Sequence, residues 1–106
     1  MAKYLVTGSY TADGLKGLLK EGGSGRRKAV ETAVKSMGGN LEAYYFSFGE
    51  HDVVSIVEVP DNVTAAALAI GISSTGTVGT RTTVLLTAEE VDEATRKTLS
   101  FRAAGQ

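Results

Sequence analysis

The chain has 106 residues, enough for one domain and short of two. Hydrophobic residues make up 42% and charged residues 22%, a globular balance, and a net charge of −1 argues against duplex nucleic acid as the partner. The chain has no Cys and a single His51, which excludes disulfides, thiolate chemistry and any multi-His metal site in one protomer, so no cofactor is expected.

Lys3–Tyr10, with Tyr4-Leu5-Val6-Thr7 at its heart, reads as a first strand. Thr11 can cap a short helical segment carrying Leu15, Leu18 and Leu19, which Gly14 and Gly17 each weaken by up to about 1 kcal/mol. Gly22-Gly23-Ser24-Gly25 interrupts that segment. Beyond it Ala29, Val30, Ala33, Val34 and Met37 form one face of a helix that stops at Gly38-Gly39. Asn40–Phe48 and His51–Val59 are rich in aromatic and β-branched residues and flank a short break at Gly49, the pattern of an antiparallel hairpin. Pro60 ends the second of these, and Asp61 or Asn62 caps a helix over Val63–Ser74. That helix is apolar nearly all round, which predicts burial on more than one side. Thr77–Leu86 is a fourth strand, and Thr87-Ala88-Glu89-Glu90 matches a capping box opening a last helix, Ala88–Leu99. Its first turn is acidic and its last basic, as the helix dipole favours.

The whole chain, 1–106, thus reads as a single domain: a core over 3–87, a C-terminal helix over 88–99 and a tail over 100–106. The order strand, helix, strand, strand, helix, strand is that of an α+β ferredoxin-like sandwich, with two helices on one face of a four-stranded antiparallel sheet. Met1–Tyr10 has no apolar core of the kind a secretory signal carries. The longest apolar run, Ala65–Ile70, is far short of the ~20 residues that span a bilayer. No membrane partner is expected, and the cytoplasm is the expected location.

Strand alternation puts apolar groups on both faces of the sheet. Val53, Val57 and Val59 point one way with Ser55, and Val54 and Ile56 the other way with Glu58. On the preceding strand Leu41, Ala43 and Tyr45 oppose Tyr44, Phe46 and Phe48. Two helices cover one face only. A second copy of the sheet is the simplest cover for the other, and the C-terminal helix is the competing one.

Several of these residues form a recognisable set. The glycine pair after the helix, the aromatic strand, Phe48-Gly49-Glu50-His51-Asp52 and Val57-Glu58-Val59-Pro60-Asp61, with an Ala-rich helix, a Gly and a Thr-rich strand, resemble the GYD domain family over roughly residues 3–95. In the name-giving motif of Gly, any residue, Tyr and Asp, Gly49 and Asp52 match, and His51 stands in the place of Tyr. The resemblance implies a dimeric α+β barrel, two ferredoxin-like sheets around an interior cavity. That wider class includes cofactor-independent oxygenases, isomerases and ligand-binding regulators.

The candidate sites each carry a structural and a functional reading. His51 is the one group that titrates near neutral pH, a candidate acid or base. Alternatively Gly49 makes a turn and Asp52 holds backbone amides, with His51 partly exposed. Glu58 is an acid in an apolar strand, either a second proton-handling group or half of an ion pair with Arg81. Ser24, Arg26 and Arg27 in the glycine stretch resemble an anion cradle at a helix N-terminus, or a mobile connector. Tyr44, Phe46 and Phe48, with Asp52 and Arg81, are the candidate ligand-binding set, set against ordinary core packing. The basic–aromatic consensus of an RNA-binding strand is absent. The leading expectation is a homo-oligomer binding a small molecule in an accessory or regulatory role. The alternative is a small cofactor-independent enzyme using His51 and Glu58.

Overall fold

A computed structural model describes residues 1–106. Its elements run β1 (Ala2–Tyr10), α1 (Ala12–Ser36), β2 (Asn40–Phe46), β3 (Val53–Val59), α2 (Asn62–Ser73), β4 (Val78–Leu85) and α3 (Ala88–Thr95). The four strands form one antiparallel sheet in the order β2-β3-β1-β4. With α1 and α2 between the strands, this is the expected α+β ferredoxin-like architecture.

Register divides the residues between two faces. Tyr4 lies opposite Val57 and Val84, and Val6 opposite Ser55 and Thr82, so these residues share the face that α1 and α2 cover. The core sits there: Tyr4, Val34, Val57, Val59 and Ala65 are buried together, with Val6, Val30, Leu41 and Leu68 packed against them. Each fully buried aliphatic or aromatic side chain contributes about 1.5–3 kcal/mol. Tyr4 also donates its hydroxyl to Asn62 Oδ1, tying the middle of the sheet to the first turn of α2. Asp61 caps that turn, its Oδ1 accepting from Thr64 N at 2.8 Å.

A register shift between Leu41 and Ala43 changes the expected side of one residue. Leu41 stands opposite Val57 on the helix face, whereas Ala43 and Tyr45 stand opposite Ile56 and Val54 on the open face. A bulge of one residue reverses the alternation at that point.

The glycine stretch in the first helix is not a loop. α1 runs from Ala12 to Ser36, broken only at Gly22, whose φ of 76° and ψ of 169° leave the helical region. Ser24, Arg26 and Arg27 are therefore helical, and the mobile-connector reading gives way to a kink at a single residue. The start of α1 is held against the turn before β4: Thr11 N donates to Thr77 O at 2.9 Å, and Thr11 Oγ1 to Gly76 O at 2.9 Å. A Cβ on Gly14 would lie 1.9 Å from Thr77 O, so only glycine fits this approach.

α2 departs from the sequence expectation. Only Ala65 is buried along it, while Val63 is 78% and Ile70 69% exposed. Its apolar outer side has no further layer to pack on within the chain. α3 departs as well: it does not cover the open face of the sheet. Every residue from Leu86 to Gln106 is exposed, and the helix ends at Thr95, four residues before the expected Leu99. The chain accordingly measures 57 × 33 × 22 Å with a radius of gyration of 17.0 Å, against about 13 Å for a compact domain of ~100 residues.

Candidate functional site

The end of β1 and the loop between β2 and β3 meet around Asp52. Its Oδ2 accepts from Tyr10 N at 2.8 Å, and its own N donates to Gly8 O at 2.8 Å. In the Gly49-Glu50-His51-Asp52 motif, therefore, the Asp fastens the loop to β1 and fixes where Tyr10 leaves the sheet. The tight backbone position in this loop is not Gly49. It is Phe48, at φ 52°, whose ring stacks on Phe46 with centroids 5.8 Å apart and an interplanar angle of 9°. A bulky residue rarely adopts that conformation, and the stacking helps to hold it there.

Tyr10 stands on the helix side with Tyr44 of β2 and Arg26 of α1 close by. Burial pushes the Tyr44 phenol above its ordinary range. The adjoining Tyr10 hydroxyl acts in the same direction, and the Arg26 cation opposes it. Tyr44 is thus a neutral hydrogen-bond donor at physiological pH. Arg26 Nη1 donates to Glu21 Oε2 at 2.9 Å, the chief reason its guanidinium is held more firmly charged than usual. This ion pair spans the kink, with Glu21 on one side of Gly22 and Arg26 on the other.

Beneath these groups lies an apolar cavity of about 50 Å3, lined chiefly by Val6, Val30, Val53, Ile72 and Val78. A more polar hollow of about 180 Å3 shares Tyr10 and Arg26 with it and adds Asp13, Glu21 and Thr77. The two together offer a short apolar recess opening onto hydrogen-bonding groups, the usual composition of a small-molecule site. Phe46 and Phe48 line a separate, shallow groove with Leu18 and Leu19.

The structure brings together Tyr44 and Arg26 of the sequence candidates, with Asp52 positioning Tyr10 from below. It also brings Phe46 against Tyr44, ring centroids 5.4 Å apart and edge to face, and stacks Phe48 on Phe46, while His51, Glu58, Arg81, Ser24 and Arg27 stand elsewhere. His51 is half-buried in the β2–β3 loop, and its carbonyl accepts from Ser47 Oγ and Gly49 N. Glu58 lies near the far end of β3 on the open face, opposite Lys3 and Asn40. Its expected ion pair with Arg81 does not form. Arg81 lies opposite Thr7, four residues along β1 from Lys3, about 13 Å away at strand spacing. Lys3 is the cation that feels Glu58, although it bonds Glu42 at 2.8 Å. Ser24 and Arg27 are exposed on α1. Tyr10 is one of the aromatics whose type alone admits either a pocket or ordinary packing, and nothing in the sequence marks Asp13 or Glu21 as its neighbours. The Glu21–Arg26 pair has a spacing of five, which ordinary helical rules do not connect.

The fold defines an α+β ferredoxin-like domain with one helix-covered and one open sheet face. Its family model then places it: the chain belongs to the GYD domain family, which matches residues 4–95. Comparison with curated proteins and with solved structures gives no match. No helix is long and apolar enough to cross a membrane.

Proposed function

We propose that this protein is a homo-oligomeric small-molecule-binding domain with an accessory or regulatory role. The apolar recess under Tyr10, Tyr44 and Arg26, opening onto the Asp13–Glu21 hollow, carries this reading. The recess accepts only a short apolar group, and the hollow suits an oxygen-bearing polar end. Tyr44 donates to such an oxygen without ionising, and Arg26 adds charge without leaving Glu21. The open face supports the oligomer: Leu5, Val54, Ile56 and Leu85 remain only partly covered there, and a second sheet would close them into a barrel.

The test is ligand-observed NMR with short alcohols, carboxylic acids and phenols, together with native mass spectrometry of the freshly purified protein. Binding should weaken at least tenfold in Tyr44→Phe, and Val30→Phe, which fills the recess, should abolish it. A protein that carries no added mass and contacts no member of the panel sinks the reading. The second reading keeps His51 as a lone acid–base group of a cofactor-independent enzyme. Glu58 stands seven residues further along the chain and on the open face, so the two act separately in one subunit. Full turnover by His51→Phe on an identified substrate would remove that reading.

A further inference from the structure

Tyr10 and Arg26 form the wall shared by the apolar recess and the polar hollow, and the groups on its two sides are of opposite kind. On the recess side the groups are donors. Tyr44 offers a phenolic O–H, and Arg26, which gives one N–H to Glu21, has others left for a second acceptor. On the hollow side acceptors prevail. Asp13 enters none of the molecule's three ion pairs, and Glu21 meets Arg26 through Oε2 alone. Two carboxylates against one guanidinium leave one negative charge of the hollow unmatched.

The helix is built to keep that hollow open. Asp13, Gly17 and Glu21 follow at intervals of four along the first part of α1, so they stack on one side of it. Gly17 is the gap between the two carboxylates. A glycine inside a helix is less stable than an alanine there, and neither backbone nor packing calls for one at this position. Its conformation is helical, and a Cβ would meet no atom within 4 Å. Gly14, a turn earlier, differs, because Thr77 O leaves its Cβ no room. The missing side chain at Gly17 leaves space in the hollow for a group that both acids can reach.

We infer that the ligand is a short zwitterion, an α-amino acid with a small branched apolar side chain. That side chain enters the recess, the carboxylate meets Arg26 and Tyr44, and the ammonium lies over Gly17 between Asp13 and Glu21. The inference rests on the small-molecule reading above and names the chemistry of the ligand's polar end. The experiment is titration calorimetry of the full chain with three matched probes: L-valine, isobutylamine, which lacks its carboxylate, and 3-methylbutanoate, which lacks its ammonium. Valine should bind at least tenfold more tightly than either. Asp13→Asn, at an exposed position, should weaken valine and isobutylamine several-fold and leave 3-methylbutanoate unchanged. Gly17→Ala should raise the thermal unfolding midpoint and yet weaken valine several-fold, a split that a merely structural glycine would not give. Valine that binds no better than 3-methylbutanoate, or equally well to Asp13→Asn or Gly17→Ala, overturns the zwitterion alone and leaves the recess as a site for acids, alcohols or phenols. A protein that binds none of these probes and none of that earlier panel overturns both readings together.

Discussion

Tyr4 and Leu5 are neighbours on β1, yet they occupy different environments. Tyr4 faces the helices, is fully buried and reaches Asn62, whereas Leu5 faces the other way and is only partly covered. The same contrast runs across the sheet, with Val57 and Val59 buried on one side and Val54 and Ile56 half-covered on the other. Alternation along a strand decides which residues share a face, but layers from elsewhere decide whether that face becomes a core. Here one chain supplies a layer for one face only.

Breaking the covered face should have the largest effect. Tyr4→Ala removes a buried ring and leaves Asn62 without its donor, and should lower folding stability by about 4 kcal/mol in urea denaturation. Gly14→Ala forces a Cβ onto Thr77 O and should cost about 3 kcal/mol, read the same way. Leu5→Ala on the open face should cost about 1 kcal/mol in a dilute, dissociated subunit. If the proposed second copy covers this face, the cost should rise measurably at high protein concentration; a concentration-independent change would count against that second copy. Thr87→Ala deletes the cap of α3, worth about 1 kcal/mol to that helix. It should lower helicity by circular dichroism without moving the main unfolding transition of the subunit.

The smallest effect concerns pH. Hydrogen bonds from the Thr64 side chain and backbone hold the Asp61 carboxyl below its ordinary 3.8. A depressed folded value contributes stability above the unfolded pKa and loses it as pH falls through the folded one. Asp61→Asn should therefore lower stability slightly at neutral pH, match the unmodified protein in strong acid and so flatten the acid limb of the stability curve, as followed by thermal melts from neutral to strongly acidic solution.

The sequence pattern led to the order of elements because each has its own local signal. The Thr87–Glu90 box, the stripe from Ala29 to Met37 and the β-branched run at Val53–Val59 all appear where their local chemistry requires them. Missed features depend on distant parts of the chain or on one-residue shifts. The bulge after Leu41 moves a side chain across the sheet without any change in composition. Gly49 has the composition of the turn residue, but the left-handed position is Phe48, whose ring stacks on Phe46. The apolar character of α2 was plain from its alanines, but its exposed side depends on what packs beyond it. In the candidate site, Tyr44 and Arg26 were recognisable as chemically useful groups. Tyr10 becomes one only because Asp52, distant in sequence, sets the end of β1.

The break at Gly22 has a consequence for amide hydrogen exchange. The helical backbone conformation is interrupted there, so residues 12–21 and 23–36 of α1 can open as separate cooperative units. The second unit holds Val34 in the core and should show protection close to that of the sheet. The first is fixed mainly by Thr11 and Gly14 against the turn before β4, and should exchange faster. Asp13 and Glu21 belong to this faster unit, whereas Arg26 and Val30 belong to the slower one. A molecule occupying the recess would bridge them, and its arrival should register as slowed exchange in residues 12–21.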